Sequence, residues 1–295
     1  LLPFVPESQV WKERRASGHV NTPVVKDQLF ARFAFAWREY DGVVDNLADG
    51  SSFNGKKTIA LRGAIRWQPT ADTQLDIIAN WQHDRPPGVG FRSAVIPTSR
   101  GTTNPFAPAE LNRGRALGVD RTVGGITALL EHKLTPAWSL SSVTGWREYD
   151  SYENFDADGA SIYLLEFAED ARGRQFSQEI RANYNDGGAF TGFAGIGYFH
   201  ENGTAREPFY TDERQLWPFV ASSFRDGVVA AGIPLVLANA LVPPANPFVP
   251  QATLPTTFAA FNNPLFPPEV RALGALAGAP LRPYRVDEYT QAGRR

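Results

Sequence analysis

The run Asn154-Phe155-Asp156-Ala157-Asp158-Gly159 is where this 295-residue chain comes nearest to a metal-binding pattern. Oxygen ligands alternate there and a glycine holds the sixth position, as in the first half of a helical calcium hand. The hand's twelfth position is a bidentate glutamate. Here it is Leu165, Glu166 comes one residue late, and the flanks read as strands, so that hand is excluded. A looser calcium site of Asn154, Asp156 and Asp158 remains as the alternative to an ordinary solvated acidic loop. Other chemistries fall away. His19, His83, His132 and His200 follow no ligand spacing, and the chain holds no cysteine for a thiolate ligand, a disulfide or a thiol nucleophile. There is no Gly-x-Ser-x-Gly elbow and no phosphate-cradling glycine loop. The sequon Asn202-Gly203-Thr204 reads better as the end of a strand. The expectation is a non-enzyme with no cofactor and no metal beyond that one candidate.

Two further groups of residues are suited to binding. Arg32, Arg38, Arg62, Arg66, Asp76, Glu131, Lys133, Arg147, Glu179 and Arg181 recur at alternate positions of apolar stretches, so one face of each stretch needs water or a polar partner. Either a polar partner fills that face, or the charges line a wet lumen and balance one another as in a porin. Phe91, Phe106, Phe155, Tyr163, Phe209, Tyr210 and Trp217 fall between those stretches. They suit the outer face of a ligand vestibule, and loop packing accounts for them equally well.

The elements that carry these residues are strands. From Leu29 the odd positions read Leu, Ala, Phe, Phe, Trp, while Arg32 and Arg38 lie on the even ones. The same alternation recurs from Thr58 to Gln68, from Gln74 to Gln82 and from Gln175 to Tyr184. Period two means strand, and these stretches match the roughly 9–11 residues that a tilted membrane strand needs. Eight strands are expected, about 11–20, 28–40, 57–68, 73–84, 121–134, 138–149, 174–184 and 189–201, with a ninth from about 286 to 295. Short turns at Asn21-Thr22-Pro23, Pro69 to Asp72, Thr135-Pro136 and Asn185 to Gly188 alternate with long segments at 41–56, 85–120, 150–172 and 202–285. Outer-membrane barrels have short periplasmic turns and long external loops. The fold class is therefore all-β, an antiparallel transmembrane β-barrel, with a soluble β-rich binding module as the weaker alternative. The segment 227–268 lacks charge but is broken by prolines that include Pro234, Pro243, Pro244, Pro247, Pro250 and Pro255, and it reads as loop with room for a short helix between Phe219 and Val242. A net charge of −2 and a pI near 6.1 give no basic excess for nucleic acid.

Several segments resemble the barrel of TonB-dependent outer-membrane receptors of the iron-complex branch. They are Asn21-Thr22-Pro23 leading to Asp27-Gln28-Leu29-Phe30-Ala31-Arg32, then Tyr40 to Asn46, Ser142-Val143-Thr144-Gly145-Trp146-Arg147, and Phe176-Ser177-Gln178-Glu179-Ile180-Arg181. The likeness covers roughly 17–201. It implies a 22-stranded barrel around an N-terminal plug, in the outer membrane of a Gram-negative bacterium. It also implies contact with lipid, and energy from the TonB complex acting through the plug. The ligand it implies is a bulky scarce nutrient such as a ferric siderophore, with a passive porin-like channel as the alternative. Residues 1–295 then form one partial barrel with its strand region at 11–201, expected not to close by itself.

Overall fold

The computed structural model describes residues 13–230, 232–241, 253–266, 268–278 and 284–294. Nine long strands form one antiparallel sheet in chain order: β1 (Arg14–Val25), β2 (Leu29–Tyr40), β5 (Lys56–Thr70), β6 (Thr73–Asp84), β7 (Gly118–Lys133), β8 (Trp138–Asp156), β9 (Glu166–Asn185), β10 (Thr191–Thr211) and β11 (Tyr284–Arg294). A small hairpin, β3 (Val44–Asp45) and β4 (Ser52–Phe53), sits in the first long loop. Each strand pairs with its neighbour in sequence. All short turns therefore lie at one end of the sheet and all long connections at the other.

Register carries the sequence alternation onto two faces. Reading across the sheet, Val20, Phe33, Gly63, Ala79, Ile126, Trp146 and Phe176 are successive partners in one row. Phe33 and Ile65 are each 47% exposed on this face, and Ile180 42%. Large apolar side chains left this open need an apolar solvent, which a bilayer supplies and water does not. Trp138 and Tyr184 pack with tilted rings, centroids 4.9 Å apart, at the short-turn end, with Phe190 beside Tyr184, an arrangement suited to a membrane interface. Ser142, Thr144 and Gln178 interrupt the apolar face, and they satisfy one another. The Thr144 hydroxyl donates to Gln178 Oε1 at 2.6 Å and Gln178 Nε2 donates to Ser142 Oγ at 2.8 Å. Among the described residues no helix is long and apolar enough to cross a membrane, which says nothing of crossing by strands.

Four boundaries differ from expectation. The first turn lies at 26–28, where Asp27 adopts a positive φ of 61°, and Asn21-Thr22-Pro23 belongs to β1, with a register shift between Pro23 and Val25. At the other end β8, β9 and β10 run 19, 20 and 21 residues, well beyond the expected 149, 174 and 201. At about 3.3 Å per residue they are roughly 60–70 Å long, about twice what a bilayer requires. Their far halves therefore stand beyond the membrane as a paired sheet. The connection expected at 150–172 shrinks to 157–165 in consequence.

The last long loop folds on itself. It contains α1 (Trp217–Ala230), α2 (Leu235–Leu241), α3 (Leu254–Ala259) and α4 (Pro268–Ala272) around a core that includes Trp217, Leu254, Phe258 and Phe261. Trp217 is 7% exposed with its ring edge-on to Phe224 and Phe261. It is a core residue of this loop, in keeping with the loop-packing alternative. The loops at 41–55 and 85–117 share a second core of Val44, Phe53, Ala109, Leu111 and Leu117. Asn46 keys them together: its Nδ2 donates to Leu111 O at 3.0 Å and its Oδ1 accepts from Leu111 N at 2.9 Å.

Candidate functional site

The register places Arg32, Arg38, Arg62, Arg66, Asp76, Glu131, Arg147, Glu179 and Arg181 on one face of the sheet, opposite the apolar one. Several of these charges are matched to a neighbour, across the ladder or along the same strand. Arg66 donates through Nε and Nη2 to the two oxygens of Asp76 at 2.7 and 2.8 Å. Arg62 donates to Asn80 at 3.0 Å, Arg181 to Glu179 at 2.5 Å, and Arg38 to Glu13. The Arg181 guanidinium also lies 4.6 Å from the Phe193 ring centroid. Sequence reasoning missed the most buried member of the face: Asp84, 5% exposed, accepts from Thr58, Gln82 and Arg121. Arg32 and Arg147 make no hydrogen bond or ion pair among the described residues. An open hollow of about 860 Å³ lies along this face, lined in part by Arg62, Asn80, Arg121, Arg147, Tyr149 and Glu169.

Above the hollow, the paired extension of β8, β9 and β10 carries two rows of like side chains. Phe155 pairs with Phe167 and Phe167 with Phe209. Their rings form a ladder at 5.6 and 4.9 Å, and Phe91 from the loop joins it at 6.4 Å from Phe155. Two residues nearer the membrane, Glu153 stands directly opposite Glu169, and the same register brings Glu207 alongside. Like charges facing one another across a ladder are destabilising, and none of these three glutamates forms an ion pair among the described residues. Below them come Ser151, Ala171 and Ala205, small side chains that leave room above the hollow. Of the expected vestibule aromatics, Phe91, Phe155 and Phe209 belong to the ladder, Tyr163 and Tyr210 are half-buried, and Phe106 is 78% exposed on its own. Phe167 and the glutamate row were missed because the segment 150–172 reads as loop. No apolar–polar alternation marks them: Tyr149, Ser151, Glu153 and Phe155, one face of β8, mix aromatic, small and charged side chains.

The acidic motif folds differently from a solvated loop. Asp156 and Glu166 are a directly opposed pair at the ends of β8 and β9, and both are 0% exposed. Gly159, at φ +65°, turns the chain so closely against the backbone of Arg92 and Ser93 that a Cβ there would approach within 2.6 Å. Its N–H donates to Asp156 Oδ1 at 3.0 Å. Asp158 accepts from the N–H groups of Ala160, Leu164 and Leu165 at 2.9–3.0 Å, closing the loop. Asn154 is engaged at both ends, accepting from Arg113 and donating to Ala116 O. Arg113 Nη1 also donates to Glu166 Oε2 at 3.0 Å. Burial pushes Asp156 up to about 9, with the charges of Asp158 and Glu166 adding to it. Burial likewise pushes Glu166 up to about 7, with Arg113 opposing. Asp158 is also raised by burial, against its three backbone donors. Among the described residues no three His, Asp or Glu side chains already stand as a metal-binding group.

No protein-family model matches the chain, and no curated protein matches it. Solved structures do. One is the ferric yersiniabactin uptake receptor FyuA from Yersinia pestis, similar at a TM-score of 0.51 and 17% identity over 67% of this chain and 30% of the receptor. Another is the ferripyoverdine receptor of the outer membrane of Pseudomonas aeruginosa, at 0.49 and 17% over 69% of this chain and 27% of that one. The chain thus spans less than a third of the length of either. Taken with the two-faced register and the strand lengths, the likeness to the first establishes the fold: an antiparallel transmembrane β-barrel wall, present here in part, with long loops gathered at one end.

Proposed function

We propose that the chain forms part of the wall and the external ligand-capturing loops of an outer-membrane receptor for energised uptake of a bulky, scarce nutrient. An iron complex of the ferric siderophore kind is the first candidate. The observation that supports this most is the combination of the phenylalanine ladder, the glutamate row and the hollow on one continuous face. A passive pore has no use for an aromatic shelf at its mouth, whereas a receptor that must capture a dilute ligand does. The name of the first structural neighbour, a ferric yersiniabactin uptake receptor, points the same way. Energy would come from the TonB complex acting through a plug, as the family resemblance implies.

The shelf also bears on the ligand. Three unpaired carboxylates beside three stacked rings repel an anionic ligand and favour one that presents a flat apolar edge together with neutral or positive charge. The self-balanced pairs Arg66–Asp76 and Arg181–Glu179 favour a second reading, a passive porin-like channel. Uptake of radiolabelled iron complexes by cells carrying the complete receptor separates the two. Energised uptake stops when the proton-motive force is collapsed, and the combined Glu153→Gln, Glu169→Gln and Glu207→Gln variant shifts preference toward anionic complexes. Uptake that survives collapse, with steady conductance in a planar bilayer, sinks the receptor in favour of the channel.

A further inference from the structure

The acidic pocket at the far ends of β8 and β9, beyond the membrane, holds more carboxylates than cations. Asp156, Asp158 and Glu166 lie together at the loop base, and among the described residues Arg113 is the one cation bonded to them. Three carboxylates against one guanidinium leave two negative charges over. Arg92, the other guanidinium packed on this loop, is spent on the carbonyls of Ala107 and Gly90. Buried charge persists only when paired or metal-bound. A second observation is independent of the charges: Glu166 Oε1, on a side chain fully out of solvent, has no hydrogen-bond partner, and Asp156 Oδ2 meets no donor other than a proton shared with Asp158. Nor does the amide of Asn112, next in sequence to Arg113, find a partner. Orphaned buried polar atoms drawn from several segments mark a missing occupant.

We infer that Asp156 and Glu166 hold a hard divalent cation of the calcium type, with the side-chain oxygen of Asn112 as a neutral ligand. The carboxylates offer only oxygen, with no imidazole or thiolate beside them, which suits calcium and disfavours zinc or copper. Two carboxylates match its charge, and Arg113 keeps its bond to the other oxygen of Glu166. Asp158, expected from sequence as a ligand, is occupied by three backbone donors and serves to shape the loop; Asn154 is likewise engaged. The ion would tie the ends of β8 and β9 to each other and to the loop at 85–117. In its absence the pocket takes up protons instead, so binding releases them.

The test is calorimetric titration of the complete receptor in detergent with CaCl₂ alone, after chelation, at pH 7.5. The expected result is saturable binding in the range of about 10⁻⁴–10⁻³ M, as for extracellular calcium modules. The heat should differ between buffers of different ionisation enthalpy, and amide exchange should slow across 153–168. The combined Asp156→Asn and Glu166→Gln variant should bind at least tenfold more weakly. Because it removes buried charge, it should remain folded and melt no lower than the wild type in chelator, so loss of binding is not loss of fold. Glu153→Gln, on the opposite face of β8, should bind as the wild type does. Absence of saturable heat and of slowed exchange at millimolar Ca²⁺ in the folded wild type, or binding that the double variant keeps, overturns the site.

Discussion

Arg66 and Asp76 on the wall, and Arg113 and Glu166 at the loop base, are both arginine–carboxylate pairs at hydrogen-bond distance, yet their surroundings differ. The wall pair is 50% and 16% exposed on the open polar face of the sheet; the loop pair is 23% and 0% exposed under packed loops. On the wall, water reaches the ions, so pairing aligns side chains without large energy. At the loop base the acids are cut off from water and outnumber their partner. There the same two residue types become a device whose state depends on protons or a cation. Burial, not residue identity, separates a lining from a switchable clamp.

The change expected to widen this contrast most is Arg113→Ala. Breaking a buried pair costs about 3–5 kcal/mol, and at pH 8 without calcium we expect a loss of this order in the local stability of 153–168. Amide exchange in the complete receptor measures it, and an effect below about 1 kcal/mol would mean the pocket is wetter than its burial indicates. Next is Leu61→Arg on the apolar face. A charge at mid-bilayer on a barrel strand costs about 2–4 kcal/mol, read as the drop in unfolding free energy in lipid. A negligible cost there would remove the membrane from one side of the comparison.

A pH series sharpens it further, because the long-loop end holds carboxylates of both kinds. Asp156 and Glu166 have values raised above those of the unfolded chain, so the stability they allow is present at pH 4 and is lost as pH rises through about 7 and 9. Asp49 is held low by the Ser51 hydroxyl and the N–H groups of Ser51 and Arg115. Its contribution is present at neutral pH and is lost as pH falls below the usual carboxylate range. Protease sensitivity at 157–165 should therefore rise with pH in chelator, while that at 46–51 should rise only in acid; parallel behaviour would contradict the opposed environments. The smallest effect is expected from Arg66→Ala on the wall, about 1 kcal/mol or less and weaker still in high salt. A larger and salt-insensitive loss would show that the wall pair is also shielded.

Much of the wall could be read from sequence because alternation and burial tell the same story there. The pattern places strands at 28–40 and 73–84, and they run 29–40 and 73–84. The long-loop end was harder for a physical reason. Beyond the bilayer both faces of β8 and β9 carry polar or small residues, as in Asp150-Ser151-Tyr152-Glu153, so period two vanishes although the hydrogen-bond ladder continues. The acidic motif was visible as a set of oxygen ligands. Which oxygens remain unpartnered was not, since Arg113 reaches the pocket from a loop more than forty residues away in sequence.

The overlong strands carry a consequence for affinity. Phe155, Phe167 and Phe209 stand on a hydrogen-bonded sheet and not on mobile loop tips. A side chain held in a ladder has already given up its backbone freedom during folding, so a ligand arriving at the ladder need not order it again. Such a preorganised turret would allow tight capture with little rearrangement.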